Sequence, residues 1–376
     1  MKRLLILGGS HSELPLIVEA KKLGFFVYSL GNKEDIGHKF SNEFIKEDYS
    51  DKNKILEIIK NKNIDFVLFG CNDFSIKSAA YAAKFLKKEI YDDIKTTETI
   101  HNKDLFKMFA NEFNISVPKN YTYEDVEFPV IVKPIDLSGG KGIKIVNSYV
   151  ELDNAIKNIL NISREKKYVI EEYIEGEHYS CFVFVFNKSI KIKFFAKEYF
   201  YKNKFLVNGA FSVFNLNKKI TEKLEKDINI IINKLNLKNG ILHVQFVVKD
   251  FKPYILEITR RCPGDLYLKL IDYSLGINIS EIIVKNYTEL LREDDFNITF
   301  SKKLIMRHCL MTDKNGIFEH IKTDKKLNII DYFPLKCSGD KIENYLLDKV
   351  GITFCEYQDN FEKNINNLIY PKVENV

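Results

Sequence analysis

Short apolar runs alternate, through the first quarter of the chain, with segments whose apolar positions recur at helical spacing. Residues 4–7, 25–30 and 66–70 are strand-like, and residues 14–20, 54–60 and 79–86 are helix-like. Strands alternating with helices predict a parallel, doubly wound α/β unit over residues 1–95. The first strand ends in Gly8-Gly9-Ser10. That stretch reads equally as an anion-binding loop at a helix N-terminus, where backbone N–H groups are free, or as a tight strand-to-helix turn. The dinucleotide fingerprint is missing: GxGxxG fails, and no acidic residue closes the second strand.

The pattern then changes. Residues 96–114 predict one helix, with Lys103 early in it, leading to Ile115-Ser116-Val117-Pro118. Residues 128–133 and 143–146 predict strands on either side of the turn Ser138-Gly139-Gly140-Lys141-Gly142. Residues 168–172 form a strand running into an acidic turn that ends at Glu177. Residues 180–186 and 190–196 are two further strands, and 197–212 reads as a polar and aromatic loop containing Asn208-Gly209. Residues 243–248 and 256–259, joined by Lys249-Asp250-Phe251-Lys252-Pro253, predict an antiparallel hairpin. From Leu304 short β-like runs alternate with loops, and no chemistry is attached to them.

The hairpin carries the candidate chemistry. One strand presents Gln245, and the other presents Glu257 and, two residues on, Thr259 on the same face. Arg260, Arg261 and Pro263-Gly264 follow at once. Oxygen ligands beside arginines suit a hard cation holding phosphate, because Mg²⁺ prefers carboxylate and phosphate oxygens. Arginine offers a planar fork to the same anions. Alone, the stretch is equally an ordinary half-buried hairpin with a surface glutamate.

Length and composition narrow the class. A chain of 376 residues allows two or three domains and an ample core. Its 45% hydrophobic and 29% charged residues are those of a soluble globular protein. The net charge of +5 is spread along the chain, favours small anionic ligands, and leaves no basic block for nucleic acid. Six scattered cysteines without a CxxC pair indicate neither a zinc site nor a disulfide framework, and predict reduced thiols in the cytoplasm. The N-terminus reads as a first strand and not a signal peptide. No apolar run approaches the roughly 18 residues a membrane span needs.

Four segments, in this order, resemble the ATP-grasp carboxylate–amine ligases over roughly residues 1–295. They are Lys103; Lys133-Pro134 with the glycine loop; Glu171 to Glu177; and Gln245, Glu257 and Arg261. The likeness extends to biotin carboxylase, carbamoyl-phosphate synthase large subunits and L-amino acid ligases. The glycine loop is not a P-loop, since GxxxxGK[ST] is absent. The family's hairpin reads Glu, Gln or Asp, then Glu-x-Asn-x-Arg about a dozen residues later. Thr259 stands where Asn is usual, which bears on the third metal ligand.

The resemblance implies an ATP-grasp fold, α/β with an α+β clamp. Residues 1–95 would be a Rossmann-like domain, 96–178 the linker helix and lid, 179–300 the larger antiparallel catalytic part, and 301–376 a β-rich extension. It implies ATP and Mg²⁺, or Mn²⁺. Lys103, Lys133 and the loop residues Ser138, Gly139, Gly140 and Gly142 would hold the phosphates, and Lys141 would be catalytic with Arg261 and Arg260. Glu171 with the backbone of Glu172, Tyr173 and Ile174 would meet adenine, and Glu177 the ribose. Gln245, Glu257 and Thr259 would ligate the metal. Arg261 would act at the reaction centre, and Arg260 at the acid's carboxylate. Ser10, His11, Glu13, Asn72, Asp73, Asn208 and His243 would face the acid or amine, with residues 197–212 shaping that pocket. The implied reaction phosphorylates a carboxylate to an acylphosphate, which an amine then attacks. A kinase-like or carboxyphosphate-forming enzyme, and a non-catalytic nucleotide-binding regulator, are the alternatives. The implied partners are small acids and amines, with no nucleic acid and no membrane, and a homodimer as the assembly.

Overall fold

The computed structural model describes residues 1–135, 137, 140–201, 203–323, 327–357 and 369–374. The chain opens with β1 (Arg3–Leu7), α1 (Leu14–Lys22), β2 (Phe26–Gly31), β3 (Glu43–Lys46), α2 (Lys52–Lys62), β4 (Phe66–Phe69) and α3 (Asp73–Phe85). These build a parallel four-stranded sheet of order β3-β2-β1-β4. Leu4, Leu5, Ile6 and Leu7 are all buried, as expected of a strand covered on both faces. Helix α3 starts at Asp73, ahead of the expected Ala79, because the Asn72 side chain accepts the N–H of Ser75 and caps it.

The single helix expected over residues 96–114 is two, α4 (Ile94–His101) and α5 (Lys103–Glu112). Asn102 leaves helical geometry and its side chain accepts the N–H groups of Asp104 and Leu105. A good N-cap inside an apolar-periodic stretch divides it. Next come β5 (Asn120–Tyr121), β6 (Val130–Pro134), β7 (Lys144–Val146), α6 (Tyr149–Ile162) and β8 (Tyr168–Glu172). Their antiparallel sheet has the order β5-β8-β6-β7. Val130 and Val132 pack on Leu152, Ala155 and Ile159 of α6. Lys133 alternates with them and so faces away from α6.

The larger part contains β9 (Glu177–Phe186), β10 (Ser189–Phe200), β11 (Val207–Val213), α7 (Lys218–Lys234), β12 (Gly240–Lys249), β13 (Lys252–Thr259), α8 (Tyr267–Leu275) and α9 (Ile279–Tyr287). It continues through β14 (Ile305–Met311), β15 (Gly316–Thr323), β16 (Asn328–Pro334), β17 (Lys341–Ile342), β18 (Lys349–Glu356) and β19 (Ile369–Glu374). One eight-stranded antiparallel sheet runs β13-β12-β9-β10-β11-β14-β18-β16. Strands from both sides of residue 300 therefore share one sheet, while β17-β15-β19 form a separate one. Residues 197–212 are not the expected loop. They are mostly the end of β10 and β11, paired from Phe195 opposite Val213 to Phe200 opposite Val207. Buried polar residues hid the strand pattern. Asn208 accepts the N–H of Tyr201 and meets Met311, and Ser212 accepts the N–H of Ile305. Asn208 is thus tied within the sheet and does not line an acceptor pocket. Among the described residues no helix is long and apolar enough to cross a membrane.

One buried acid makes stability depend on pH. Asp272 accepts the N–H of Ile279 at 2.8 Å, joining α8 to α9. Burial pushes its carboxyl up to about 6, against the opposing pull of that N–H and of Lys269. A raised acid binds its proton more tightly when folded. Its contribution is therefore most favourable below the unfolded value of 3.8 and is lost as pH rises through about 6. Asp272→Asn keeps an acceptor and removes the charge. It should stabilise the protein by about 1–3 kcal/mol at pH 7.5 and by nothing measurable at pH 4. Urea melts at the two pH values check this, and an equal effect at both would contradict it.

Candidate active site

The hairpin register sets Gln245 directly opposite Glu257, and His243 opposite Thr259. Asp250 and Phe251, both at positive φ, form its two-residue turn. The same sheet face continues through Ser180, opposite Gln245, and Ala196, opposite Ser180. Glu198 lies two residues on. Ala210 stands opposite Glu198, and Arg307 opposite Ala210. One face therefore carries Glu257, Gln245, Ser180, Glu198 and Arg307.

Gln245 and Glu257 are half-buried. The Gln245 amide N–H group donates to both oxygens of Glu198, at 2.8 and 3.0 Å. An amide donates only through nitrogen, so its carbonyl oxygen is left for another partner, and Glu257 lies across from it. Thr259 Oγ1 and His243 Nε2 are buried without a partner. Burial, with Arg261 and Arg307 nearby, lowers the His243 imidazole to about 3, so it is neutral at physiological pH.

A carboxylate, an amide carbonyl and an unpartnered hydroxyl are hard oxygen donors. Among the described residues no three His, Cys, Asp or Glu converge on one point. That combination fits Mg²⁺, which uses one or two carboxylates and takes its other ligands from phosphates and water. Mg²⁺ held by Gln245, Glu257 and Thr259 would supply charge to polarise a phosphoryl group.

Arg260 and Arg261 lie just past the end of β13 and take different partners. Arg261 Nε donates to Asp73 Oδ1 at 2.8 Å. The Arg260 N–H meets His101 Nε2 at 3.3 Å, so His101 carries its proton on Nδ1 and donates it to Asp73 at 3.1 Å. Burial opposes the charge on Asp73, but Arg261 and His101 outweigh it and hold the carboxyl well below the usual range. Asp73 is therefore the anchor of Arg261. The Arg260 guanidinium is 2% exposed for the whole residue and fully engaged: Nε on Asp92 at 2.7 Å, the other nitrogens on the carbonyls of Ile241, Lys238 and Asn239. Its fork is closed to a substrate carboxylate, which corrects the expectation from sequence.

The N-terminal loops are also bound up internally. Glu13 accepts the N–H and hydroxyl of Ser10 at 2.9 and 2.5 Å and the N–H of Cys71 at 2.8 Å. A Cβ on Gly8 or Gly70 would come within 2.8 or 2.6 Å of that carboxylate, so the glycines make room for this staple. Asn72 caps α3 and donates to Tyr49 at 2.6 Å. Ser10, Glu13, Asn72 and Asp73 thus serve structure or Arg261. His11 reaches across to Asp265, at 3.5 Å, as Asp73 does to Arg261.

Between α5 and the β5-β8-β6-β7 sheet, Lys133 Nζ is 2.7 Å and Lys107 Nζ 3.5 Å from the two oxygens of Glu171. All three are buried. Glu171 faces lysines on both oxygens, which corrects its expected contact with adenine. Burial drives Lys107 down to about 8, with Lys133 adding to the effect and Glu171 opposing it. Lys107 went unread in the sequence. Its only signal is a lysine one helical turn after Lys103 on an apolar stripe. Lys103 donates to the Leu137 carbonyl at 3.3 Å, at the base of the glycine loop. Gly140 and Gly142 have φ of 74° and 75°, and a Cβ on Gly140 would lie 2.6 Å from Phe205. Gly140 thus lies against the β10–β11 turn. Lys141 is exposed, and Ser138 and Gly139 lie outside the described residues. Glu172 exchanges hydrogen bonds with Lys119, the Tyr173 N–H meets Pro129, and Ile174 is buried. Glu177 accepts from Tyr179 and pairs with Lys197 at 2.9 Å, with its side chain largely exposed.

Glu198 also escaped the sequence reading, since it sits where a loop was expected. Replacing it with leucine leaves the Gln245 amide free to turn. Glu198→Leu should raise the Mg²⁺ concentration for half-maximal turnover about tenfold, the effect of roughly one charge-assisted hydrogen bond. A Mg²⁺ titration of ATP turnover reads this directly, and an unchanged midpoint would remove Glu198 from the role.

Two antiparallel sheets supply the site, one with Lys133 and Glu171 and the other with the Gln245–Glu257 hairpin, a combination of cations and hard oxygen donors suited to a nucleotide and a hard cation. The chain belongs to the ATP-grasp superfamily of ATP- and Mg²⁺-dependent ligases, and residues 100–265 match its ATP-grasp domain. It is 27% identical over 307 residues to a formate-dependent phosphoribosylglycinamide formyltransferase of Prochlorococcus marinus, covering 77% of each chain. It is 30% identical over 342 residues to an uncharacterized protein of Methanocaldococcus jannaschii, covering 81% of this chain and 82% of that one. The L-amino acid ligase from Bacillus licheniformis shares its fold, with a TM-score of 0.84 at 18% identity over 100% of this chain and 99% of that one.

Proposed function

We propose that this enzyme spends ATP to activate a small carboxylic acid and joins it to an amine, releasing ADP and phosphate. The observation that carries the reading is the register of Gln245 against Glu257, with the unpartnered Thr259 hydroxyl and the anchored Arg261 beside them. Lys103, Lys133 and the backbone around Gly140 and Gly142 neutralise and enclose the phosphates. Residues 172–174 pass along the adenine, and Glu177 takes the ribose hydroxyls. Arg261, immobilised through Nε, presents its remaining N–H groups to the transferring phosphoryl oxygens. The acid's carboxylate oxygen attacks the γ-phosphorus as the bond to ADP breaks. The amine then attacks the acyl carbon and phosphate leaves. No protein nucleophile is needed, because such chemistry depends on positioning and charge. Neutral His243 serves as a hydrogen-bond partner within the cleft rather than as a cation. In this reading residues 1–95 and 301–376 frame the acceptor side, and 96–300 form the clamp.

Nucleotide products test the reading. Protein, Mg²⁺ and ATP are incubated with pooled carboxylic acids, with and without pooled amines. ADP and phosphate should appear only with an acid pool and rise with an amine pool. AMP and pyrophosphate would overturn the acylphosphate route.

A further inference from the structure

The steps above give Lys107 no part. It is 3% exposed, and its Nζ donates to the Pro118 carbonyl at 2.8 Å, closer than it stands to Glu171 at 3.5 Å. Phe106, Phe109 and Ala110 place α5 in one core with Ile228 and Ile231 of α7. Glu171 and Lys133 belong instead to the β5-β8-β6-β7 sheet, which packs on α6 in a core of its own. Lys107 thus reaches from one packed body to another, and a buried ammonium there is costly unless it is paired.

The chain crosses between those bodies twice, and Lys107 touches both crossings. At the first, Ser116 is fastened to the larger part. Its N–H donates to Asp227 at 3.3 Å, and its carbonyl accepts the N–H of Ile255 at 2.7 Å. Three residues on, Lys119 is fastened to the smaller sheet. Its carbonyl accepts the Glu172 N–H at 2.8 Å, and its own N–H donates to the Glu172 carboxylate at 3.2 Å. Pro118 lies between these two attachments. At the second crossing β8 ends at Glu172, and Gly176 lies so close to β12 that a Cβ would stand 2.2 Å from the Val248 carbonyl oxygen. Lys107 holds the first crossing at Pro118 and faces the second at Glu171.

Glu171 is shared unequally. Its Oε2 takes Lys133 at 2.7 Å, and its Oε1 faces Lys107. In the reaction proposed above Lys133 serves the phosphates. Turning it to them would leave the Glu171 carboxylate, 2% exposed, without its close partner, and breaking a buried pair is costly. A second cation already facing Oε1 offsets that cost.

We propose that Lys107 is a positioning residue for nucleotide binding, which takes over Glu171 at the joint between the two bodies as Lys133 turns to the phosphates. This rests on the reading of Lys133 as a phosphate ligand. The exchange carries a pH signature. The charged groups facing Lys107 are Glu171 and Glu172 on β8 and Lys133 on β6, while Lys103, one turn earlier on α5, is turned to the Leu137 carbonyl. Burial brings Lys107 down to about 8, with Lys133 adding to the effect and the two acids opposing it. With nucleotide bound, the charge of Lys133 is matched by phosphate and Lys107 has Glu171 to itself, so it holds its proton more tightly. Binding then takes up a proton above pH 8, and affinity falls as pH rises through that value.

Equilibrium binding of MgATP, with no acid present, tests this. Lys107→Met should keep the fold, since Lys133 and Glu171 remain a matched pair, and should raise Kd on the order of 10- to 100-fold. Lys107→Arg should bind as the parent does at pH 7. Adding Glu171→Gln to Lys107→Met removes the carboxylate that holds Lys133, and should recover most of the lost affinity. A residue that merely supports the fold would give no such recovery. The parent's affinity should fall about tenfold from pH 7 to pH 9, and that of Lys107→Arg, whose cation does not titrate there, should not. If Lys107→Met does not fold, the pH comparison carries the test. An unaltered Kd in a folded Lys107→Met protein overturns the role. So does a folded double variant without recovery, or a Lys107→Arg profile that matches the parent's, and each of these leaves Lys133 its phosphates. A parent that binds no MgATP overturns the nucleotide reading and this role together.

Discussion

Glu257→Gln should lower ATP turnover by on the order of 10²–10³ while the protein stays folded. The substitution keeps an oxygen and the shape of the side chain, and removes only the negative charge. Glu257 sits half-buried at the sheet edge strand β13, opposite Gln245. Gln245 is neutral and Thr259 supplies a hydroxyl, so Glu257 is the one formal charge in the donor set proposed for Mg²⁺. Without it the set is three neutral oxygens, which bind a divalent ion weakly. ADP release measured beside a thermal melt separates catalysis from folding. Near-normal turnover by a folded Glu257→Gln protein would remove the hairpin from the mechanism.

Lys133→Met should bring a loss of similar size, on the order of 10²–10³ in turnover, at little cost in stability. Three buried groups explain the separation. Glu171 lies between Lys133 and Lys107, so two cations share one carboxylate. Removing Lys133 leaves a matched pair and relieves Lys107 of a neighbouring positive charge, one of the causes of its lowered pKa. Methionine retains most of the apolar stem. Glu171→Gln should behave in the opposite way. It leaves two buried lysines without a counter-charge, and breaking a buried pair of this kind costs about 3–5 kcal/mol. Urea melts and ATP turnover of both variants give the comparison. A Lys133→Met enzyme with ordinary turnover would show that Lys133 serves only Glu171. A Glu171→Gln protein as stable as the parent would show that the three groups are not charged together.

The hairpin was legible because every signal for it is local. Alternating residues on either side of a polar turn mark the two strands, and period two puts Glu257 and Thr259 on one face. Counted back from the turn it would set Gln245 opposite Leu256, and the register shift after Phe246 is what brings Glu257 there. The parallel N-terminal sheet was legible for the same reason, through apolar runs spaced by helical stretches. Residues 197–212 were misread because Asn208 and Ser212 break the alternation. They are buried with partners at Tyr201, Met311 and Ile305 that no local window reveals. Glu198 and Arg307 were lost with that segment and with the C-terminal strands, although both lie on the face that carries Gln245.

Arg260 and Arg261 mark the boundary between the two kinds of information. The sequence alone set both arginines directly after the hairpin, and the resemblance to ATP-grasp ligases supplied the glycine loop's part and the order of the clamp. Only the tertiary structure decided that Arg260 meets Asp92 and Arg261 meets Asp73, and that Glu171 meets two lysines instead of a nucleotide. The reason is physical. The free energy of a buried charge is set by the partner that packing brings to it, often more than a hundred residues away, and a one-dimensional pattern records only which side of an element a residue occupies.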